Sequence, residues 1–154
     1  MLYLRKATIQ DVASIHHLLL QFSRQGLLLP RSYSELYKHL RDFFVLVDNL
    51  DAGLKGCCAL SITWENLAEI RSLIVIGDAQ GKGWGRRLVD TCLSEAITLG
   101  IYRVFTLTYQ TEFFASLGFQ EVDKEELPQK VWSDCLNCPK FPDYCDEVAM
   151  LMDL

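Results

Sequence analysis

The 154-residue chain has no apolar run near the ~18–20 residues that a membrane-spanning helix needs. It also lacks net positive charge. Its 20 acidic and 15 basic residues give −5, which argues against nonspecific nucleic-acid binding, because that binding depends on neutralising phosphates. The opening Met-Leu-Tyr-Leu-Arg-Lys has neither the apolar core nor the small-residue cleavage site of a secretory signal. Internal repeats, low-complexity tracts and linker-like stretches are missing too. These absences lead us to expect a single domain over residues 1–154, cytoplasmic and with reduced thiols, with no nucleic-acid or membrane partner. Monomer and homodimer both stay open.

Half of the residues are apolar, enough for a substantial core. The most informative stretch is Gln80-Gly81-Lys82-Gly83-Trp84-Gly85-Arg86-Arg87. It follows the apolar run Ile70–Ile76 and opens a helical pattern with Leu88, Val89, Cys92, Leu93 and Ala96 on one face. The unit is a strand, a glycine-rich turn and a helix. Such a turn lets the backbone approach a ligand, and the first-turn N–H groups of the helix suit a phosphate or pyrophosphate. Two known phosphate loops do not fit. Lys82 is followed by Gly83 rather than Ser or Thr, and the glycine spacing is G-x-G-x-G rather than G-x-G-x-x-G.

In chain order, Leu2–Ala7 is expected as a strand. Thr8 and Asp11 form a capping box for a helix to Arg24, ended by Gly26. After the apolar loop 27–31, Ser32 and Glu35 cap a second helix through Arg41. Phe43–Val47 is a strand, Asp48–Gly53 a hairpin turn, Leu54–Thr63 its partner and Ala68–Ile76 the strand before the loop. The long helix ends at Gly100. Arg103–Thr108 is a strand, Glu112–Leu117 a short helix and Gly118–Val122 a strand. Asp123–Cys145 is irregular, with one short helix over Gln129–Asp134, and Glu147–Asp153 is a last strand.

Gln80-x-x-Gly83-x-Gly85 resembles the acyl-CoA loop of the GNAT superfamily of N-acetyltransferases. Phe113-Phe114-Ala-Ser-Leu-Gly118-Phe119 resembles that superfamily's second signature, an aromatic pair before Gly-Phe. The element order β-α-α-β-β-β-α-β-α-β is similar as well. The resemblance implies an α/β fold with a mixed, mostly antiparallel sheet of six to seven strands. That sheet has helices on both faces and splays between its fourth and fifth strands, where acetyl-CoA lies. A narrower resemblance, to the short amino-acid N-acetyltransferases related to N-acetylglutamate synthase, rests on four strings. They are Leu-Leu-Pro-Arg-Ser at 28–32, Leu-Thr-Tyr at 107–109, the 127–132 run before Cys135-x-x-Cys138-Pro-Lys-Phe-Pro, and Asp-Glu-Val-Ala-Met at 146–150. It implies acetyl-CoA as cosubstrate and an amino acid as acceptor, foremost L-glutamate, in arginine synthesis. Two alternatives stay open: another amine (a polyamine, a drug, a protein N-terminus), or an acyl-CoA sensor without turnover.

The residues expected to hold acetyl-CoA are Gln80 through Arg87 at the pyrophosphate, the backbone of Leu73, Ile74 and Val75 along the pantetheine arm, and Phe114. Acyl transfer to an amine also needs a base. Glu69, a carboxylate in an apolar strand, is the candidate, with Glu65 as fallback. Strand alternation puts Glu69, Arg71, Leu73 and Val75 on one face. Arg71 could grip a substrate carboxylate or merely pair with Glu69. Arg31 is the second carboxylate-binding candidate, and Lys130 stands behind them. Many members have a tyrosine where this chain has Phe114, so either Tyr109 is the substitute acid or the thiolate leaves with no protein acid and Tyr109 is a pocket wall. Cys57, Cys58 and Cys92 fit core patterns. Cys135, Cys138 and Cys145 supply three of the four ligands that zinc wants, so reduced structural thiols and no metal are expected, with zinc or a redox role as the alternatives.

Overall fold

The computed structural model describes residues 1–24, 31–128 and 147–154. Seven strands form one sheet: β1 (Leu2–Lys6), β2 (Phe43–Asp48), β3 (Asp51–Trp64), β4 (Leu67–Val75), β5 (Arg103–Thr108), β6 (Gln120–Val122) and β7 (Val148–Asp153). Their order across the sheet is β1-β2-β3-β4-β5-β7-β6. All neighbours are antiparallel except β4 and β5, which are parallel. This is the mixed sheet, splayed between its fourth and fifth strands, that the resemblance implies.

Four α-helices complete the described fold: α1 (Val12–Arg24), α2 (Tyr33–Lys38), α3 (Trp84–Thr98) and α4 (Thr111–Ser116). The Thr8–Asp11 box forms, and the Asp11 carboxylate also takes two hydrogen bonds from Arg5, at 2.7 and 3.0 Å. Ser32 caps α2 through the Glu35 N–H. That helix stops at Lys38 rather than Arg41, and a 3-10 turn over Leu40–Asp42 follows. The hairpin after β2 is tighter than expected, with Asp48 opposite Asp51. The Asp48 carboxylate accepts from the Leu50 N–H at 3.0 Å, which closes the turn within a few residues and lets β3 begin before Leu54.

The core divides by sheet face. Leu88, Val89, Cys92 and Ala96 of α3 pack on Phe44, Cys58, Leu60, Ala68 and Ile70. On the other face α1 and α2 cover Phe43, Val45, Cys57, Ala59 and Ile74. A smaller cluster, Leu67, Phe105, Leu127 and Ala149, sits elsewhere in the sheet. β2 is buried from Phe43 to Val47 because helices cover both of its faces, so its apolar run does not alternate.

β4 departs from simple alternation. Arg71 opposes Ala59 and Ile74 opposes Cys57, so Ser72 and Leu73 together stand opposite Cys58. Ser72 adopts φ 57°, the left-handed conformation of a one-residue β-bulge. The extra residue inverts the pattern. Ile70 before it and Leu73 and Val75 after it all pack with the α3 cluster, while Ile74 joins the α1 cluster. Glu69 and Arg71 therefore face the side opposite Leu73 and Val75, which corrects the single shared face expected from period-two alternation.

Candidate active site

The bulge lies where β4 and β5 part. Their ladder consists of Ala68 opposite Val104 and Glu69 opposite Phe105. One residue on, the Thr106 hydroxyl donates to the Ile70 carbonyl at 3.0 Å. β4 then stays with β3, and Ile76 N–H donates to Lys55 O at 2.9 Å. Backbone groups alternate sides along a strand, so those of Ile74 turn with Ile76 towards β3 while those of Leu73 and Val75 turn into the gap. The Ile74 side chain is buried under α1 as well, so Ile74 contributes neither backbone nor side chain to the gap. Leu73 and Val75 offer an extended edge that an amide-bearing arm could join as an added strand.

The loop beyond β4 closes on this edge. The Gln80 side-chain amide donates to Val75 O at 2.8 Å, tying the loop to the strand end. Gly81 (φ 74°) and Gly83 (φ 85°) are left-handed, and a Cβ on either would meet none of the described residues beyond its chain neighbours within 4 Å. Gly83 caps α3, whose first i→i−4 bond is Arg87 N–H to Gly83 O. The N–H groups of Trp84, Gly85 and Arg86 therefore point out of the helix end, with the positive pole of its dipole behind them. Lys82, Arg86 and Arg87 are exposed around this end. The Arg87 guanidinium lies 4.3 Å from the Trp84 ring centroid, which holds it over the first turn. A Cβ on Gly85 would lie 3.4 Å from the Phe113 ring, so that ring walls the loop. Phe114, by contrast, is only 3 % exposed and stacks edge-on with Phe113 and Phe119 in the core. It supports the wall from behind.

On the opposite face, two cross-strand rows carry the charged residues. Phe43, Ala59 and Arg71 form one row, and Ser61, Glu69 and Phe105 the next. Glu69 and Arg71 are half-buried, with Arg71 Nε 3.8 Å from Glu69 Oε1. Arg31, 5 % exposed, places its guanidinium carbon 5.3 Å from the Phe43 ring centroid. Asp42 lies beside Phe43. Burial pushes its carboxyl up from the ordinary value, against the opposing pull of His39, Arg31, Lys6 and Arg71. Asp42 thus feels both arginines, and small Ala59 separates Phe43 from Arg71 in their row. The structure gathers Arg31, Arg71 and Glu69 on one face of the sheet, with Glu69 at the end of the β4–β5 ladder.

Tyr109 follows β5 by one residue and is half-buried. Glu65 is exposed in the β3–β4 turn. Cys57, Cys58 and Cys92 are fully buried, and burial pushes the Cys57 thiol up to about 12, so it stays protonated and inert. Cys135, Cys138, Cys145, Lys130 and the 129–134 helix lie outside the described residues. Sequence reasoning missed Ser72, Thr106, Phe113 and Asp42. Phe113 was visible in the aromatic pair, but the other three had no pattern to mark them.

The sequence pattern of the acetyltransferase (GNAT) family matches residues 12–119. An uncharacterised N-acetyltransferase of Chlorobaculum tepidum is 39 % identical over 150 residues, covering 97 % of this chain and 95 % of that protein. An amino-acid acetyltransferase of Mycobacterium tuberculosis is 34 % identical over 131 residues, covering 84 % of this chain and 75 % of that protein. In three dimensions the chain superposes on N-acetylglutamate synthase from Neisseria gonorrhoeae, solved with coenzyme A and N-acetyl-glutamate. The TM-score is 0.87 and the identity 31 %, with 100 % of this chain covered. This chain spans 35 % of the Neisseria chain.

Proposed function

This chain belongs to the acetyltransferase (GNAT) family, and from that premise we propose that it transfers the acetyl group of acetyl-CoA to the α-amine of an amino acid, foremost L-glutamate. The α3 N-terminus with its glycine loop would hold the pyrophosphate. The Leu73–Val75 edge would pair with the pantetheine amides and bring the thioester to the point where β4 and β5 part. Glu69 ends the β4–β5 ladder at that point and serves as the base. The amine nitrogen attacks the thioester carbon, Glu69 takes the amine proton, and the C–S bond breaks as the oxyanion collapses. Phe114 has no proton to give the departing thiolate, so Tyr109 is the side chain assigned to that step.

One observation carries the acceptor: Arg31 and Arg71 stand on the same face as Glu69, on opposite sides of Ala59. Two guanidiniums beside one base suit an acceptor with two carboxylates and one amine. Formation of N-acetylglutamate would place the protein in arginine synthesis, in the cytoplasm. The test is thiol release from acetyl-CoA across the twenty amino acids and spermidine. Glutamate should give the highest kcat/KM, and faster release with spermidine or a neutral amino acid would overturn the assignment.

A further inference from the structure

Ser72 combines a strained backbone with an open hydroxyl. Its φ of 57° is the left-handed conformation that a bulge of this type ordinarily gives to glycine, because a Cβ strains it. Ser72 keeps a residual 8 % exposure, and its hydroxyl, which makes no hydrogen bond to a described residue, is still reached by solvent. Its carbonyl is occupied, accepting from the Cys57 thiol at 3.3 Å. Glycine would avoid the strain. The hydroxyl is open to a partner from outside the protein, and its place limits what that partner is. Ser72 stands on β4 two residues beyond the Thr106–Ile70 bond that closes the crotch of the gap, three residues beyond Glu69 and immediately before Leu73. In the function proposed above, the reacting thioester passes this stretch.

We propose that Ser72 is a further catalytic residue, its hydroxyl donating a hydrogen bond to the acetyl carbonyl oxygen as that oxygen becomes anionic. The inference rests on acetyl transfer taking place in this gap, not on the identity of the acceptor. No proton is transferred from Ser72. The carbon–oxygen electron pair moves onto the oxygen during attack, the hydroxyl stabilises it, and the pair returns as the thiolate leaves. A donor aimed at charge that develops only in the transition state raises kcat without tightening the ground state.

The test uses Ser72→Gly and Ser72→Ala in the full chain, assayed with whichever amine the wild type turns over fastest. Failure of glutamate as acceptor then leaves the test intact. Both variants should lose about 10²-fold in kcat. KM for acetyl-CoA should change little, and the melting temperature of the glycine variant should stay level or rise as strain is released. The two variants share only the missing hydroxyl, so parallel losses assign the effect to it. A folded glycine variant with wild-type kcat would overturn the proposal, and so would a loss seen only in KM for acetyl-CoA. Losses that diverge, with glycine active and alanine not, would make Ser72 a matter of backbone strain and overturn it as well.

Discussion

The hydroxyl of Thr106 on β5 bonds the Ile70 carbonyl on β4 at 3.0 Å, one residue beyond the last pair of the β4–β5 ladder. A side chain thus makes the final tie between the two strands before they separate. Parallel strands ordinarily continue by backbone bonds, but here the bulge at Ser72 swings β4 away, and the threonine spans the first step of the divergence.

Replacing Thr106 with Val keeps the shape and removes the donor. The buried Ile70 carbonyl would then lose this partner at a typical cost of ~1–3 kcal/mol. Urea denaturation should show a lower midpoint with an unchanged slope. The same variant should bind acetyl-CoA more weakly, because the gap loses its fixed crotch. A stability equal to wild type would remove this bond from the account of the splay.

Gly83→Val probes the loop. A Cβ at Gly83 meets none of the described residues beyond its chain neighbours within 4 Å, so the added side chain points into space open to a ligand, with strain at φ 85° as the other cost. Gly83→Ala carries nearly the same strain with less bulk. Both variants should stay folded. Valine should weaken acetyl-CoA binding at least tenfold, about 1.4 kcal/mol, and alanine should weaken it less. Titration calorimetry giving equal affinity for wild type and valine variant would place the pyrophosphate elsewhere.

Much of this site was legible before the fold was known. The apolar spacing from Leu88 to Ala96 identified the buried face of α3, and the glycine alternation marked the left-handed turn that opens it. What stayed hidden depends on one inserted residue. Ser72 is an ordinary serine in an apolar strand, and nothing local announces that it takes a left-handed φ. Without the bulge, Glu69 and Arg71 were placed with Leu73 and Val75. With it, Glu69 and Arg71 face the α1 side of the sheet while Leu73 and Val75 turn to the α3 side. Asp42 was hidden for another reason. Its influence comes from Arg31 and Arg71, which are near it only through tertiary packing.

Glu69→Gln removes the base while preserving the shape of the strand. General-base contributions are on the order of 10²–10⁴-fold, and kcat at neutral pH should fall within that range. Raising the pH should restore part of the rate, because free amine becomes more abundant. A glutamine variant with wild-type kcat would exclude Glu69 as the base.

The two arginines separate acceptor binding from ion pairing. If they hold the carboxylates of glutamate, Arg71→Met should lower kcat/KM for glutamate about 10- to 150-fold and leave KM for acetyl-CoA nearly constant. Arg31→Met should do the same with some loss of stability, because the Arg31 side chain is buried over Phe43. One of the two variants should also narrow the preference for glutamate over glutamine. If Arg71 serves only as the partner of Glu69 at 3.8 Å, its loss would shift the pH–rate profile and leave that preference unchanged.

Asp42→Asn should act in the opposite direction. The folded-state pKa of Asp42 lies above its ordinary value, chiefly through burial, so the ionised carboxylate is disfavoured by folding. The sign follows from linkage. The native state binds this proton more tightly than the unfolded chain, so the penalty is absent at low pH and grows as pH rises through the raised pKa. Asparagine cannot ionise and escapes it. The variant should therefore match wild-type stability near pH 3 and exceed it near pH 7. Its effect on the acceptor has the same electrostatic origin. The Asp42 charge opposes whatever anion Arg31 and Arg71 attract, and removing it strengthens their field. KM for glutamate should fall in Asp42→Asn, with a smaller change for glutamine, and added salt should shrink the difference. A rise in KM for glutamate would mean instead that Asp42 orients the arginines or meets the substrate ammonium, and the acceptor geometry would have to be redrawn around it.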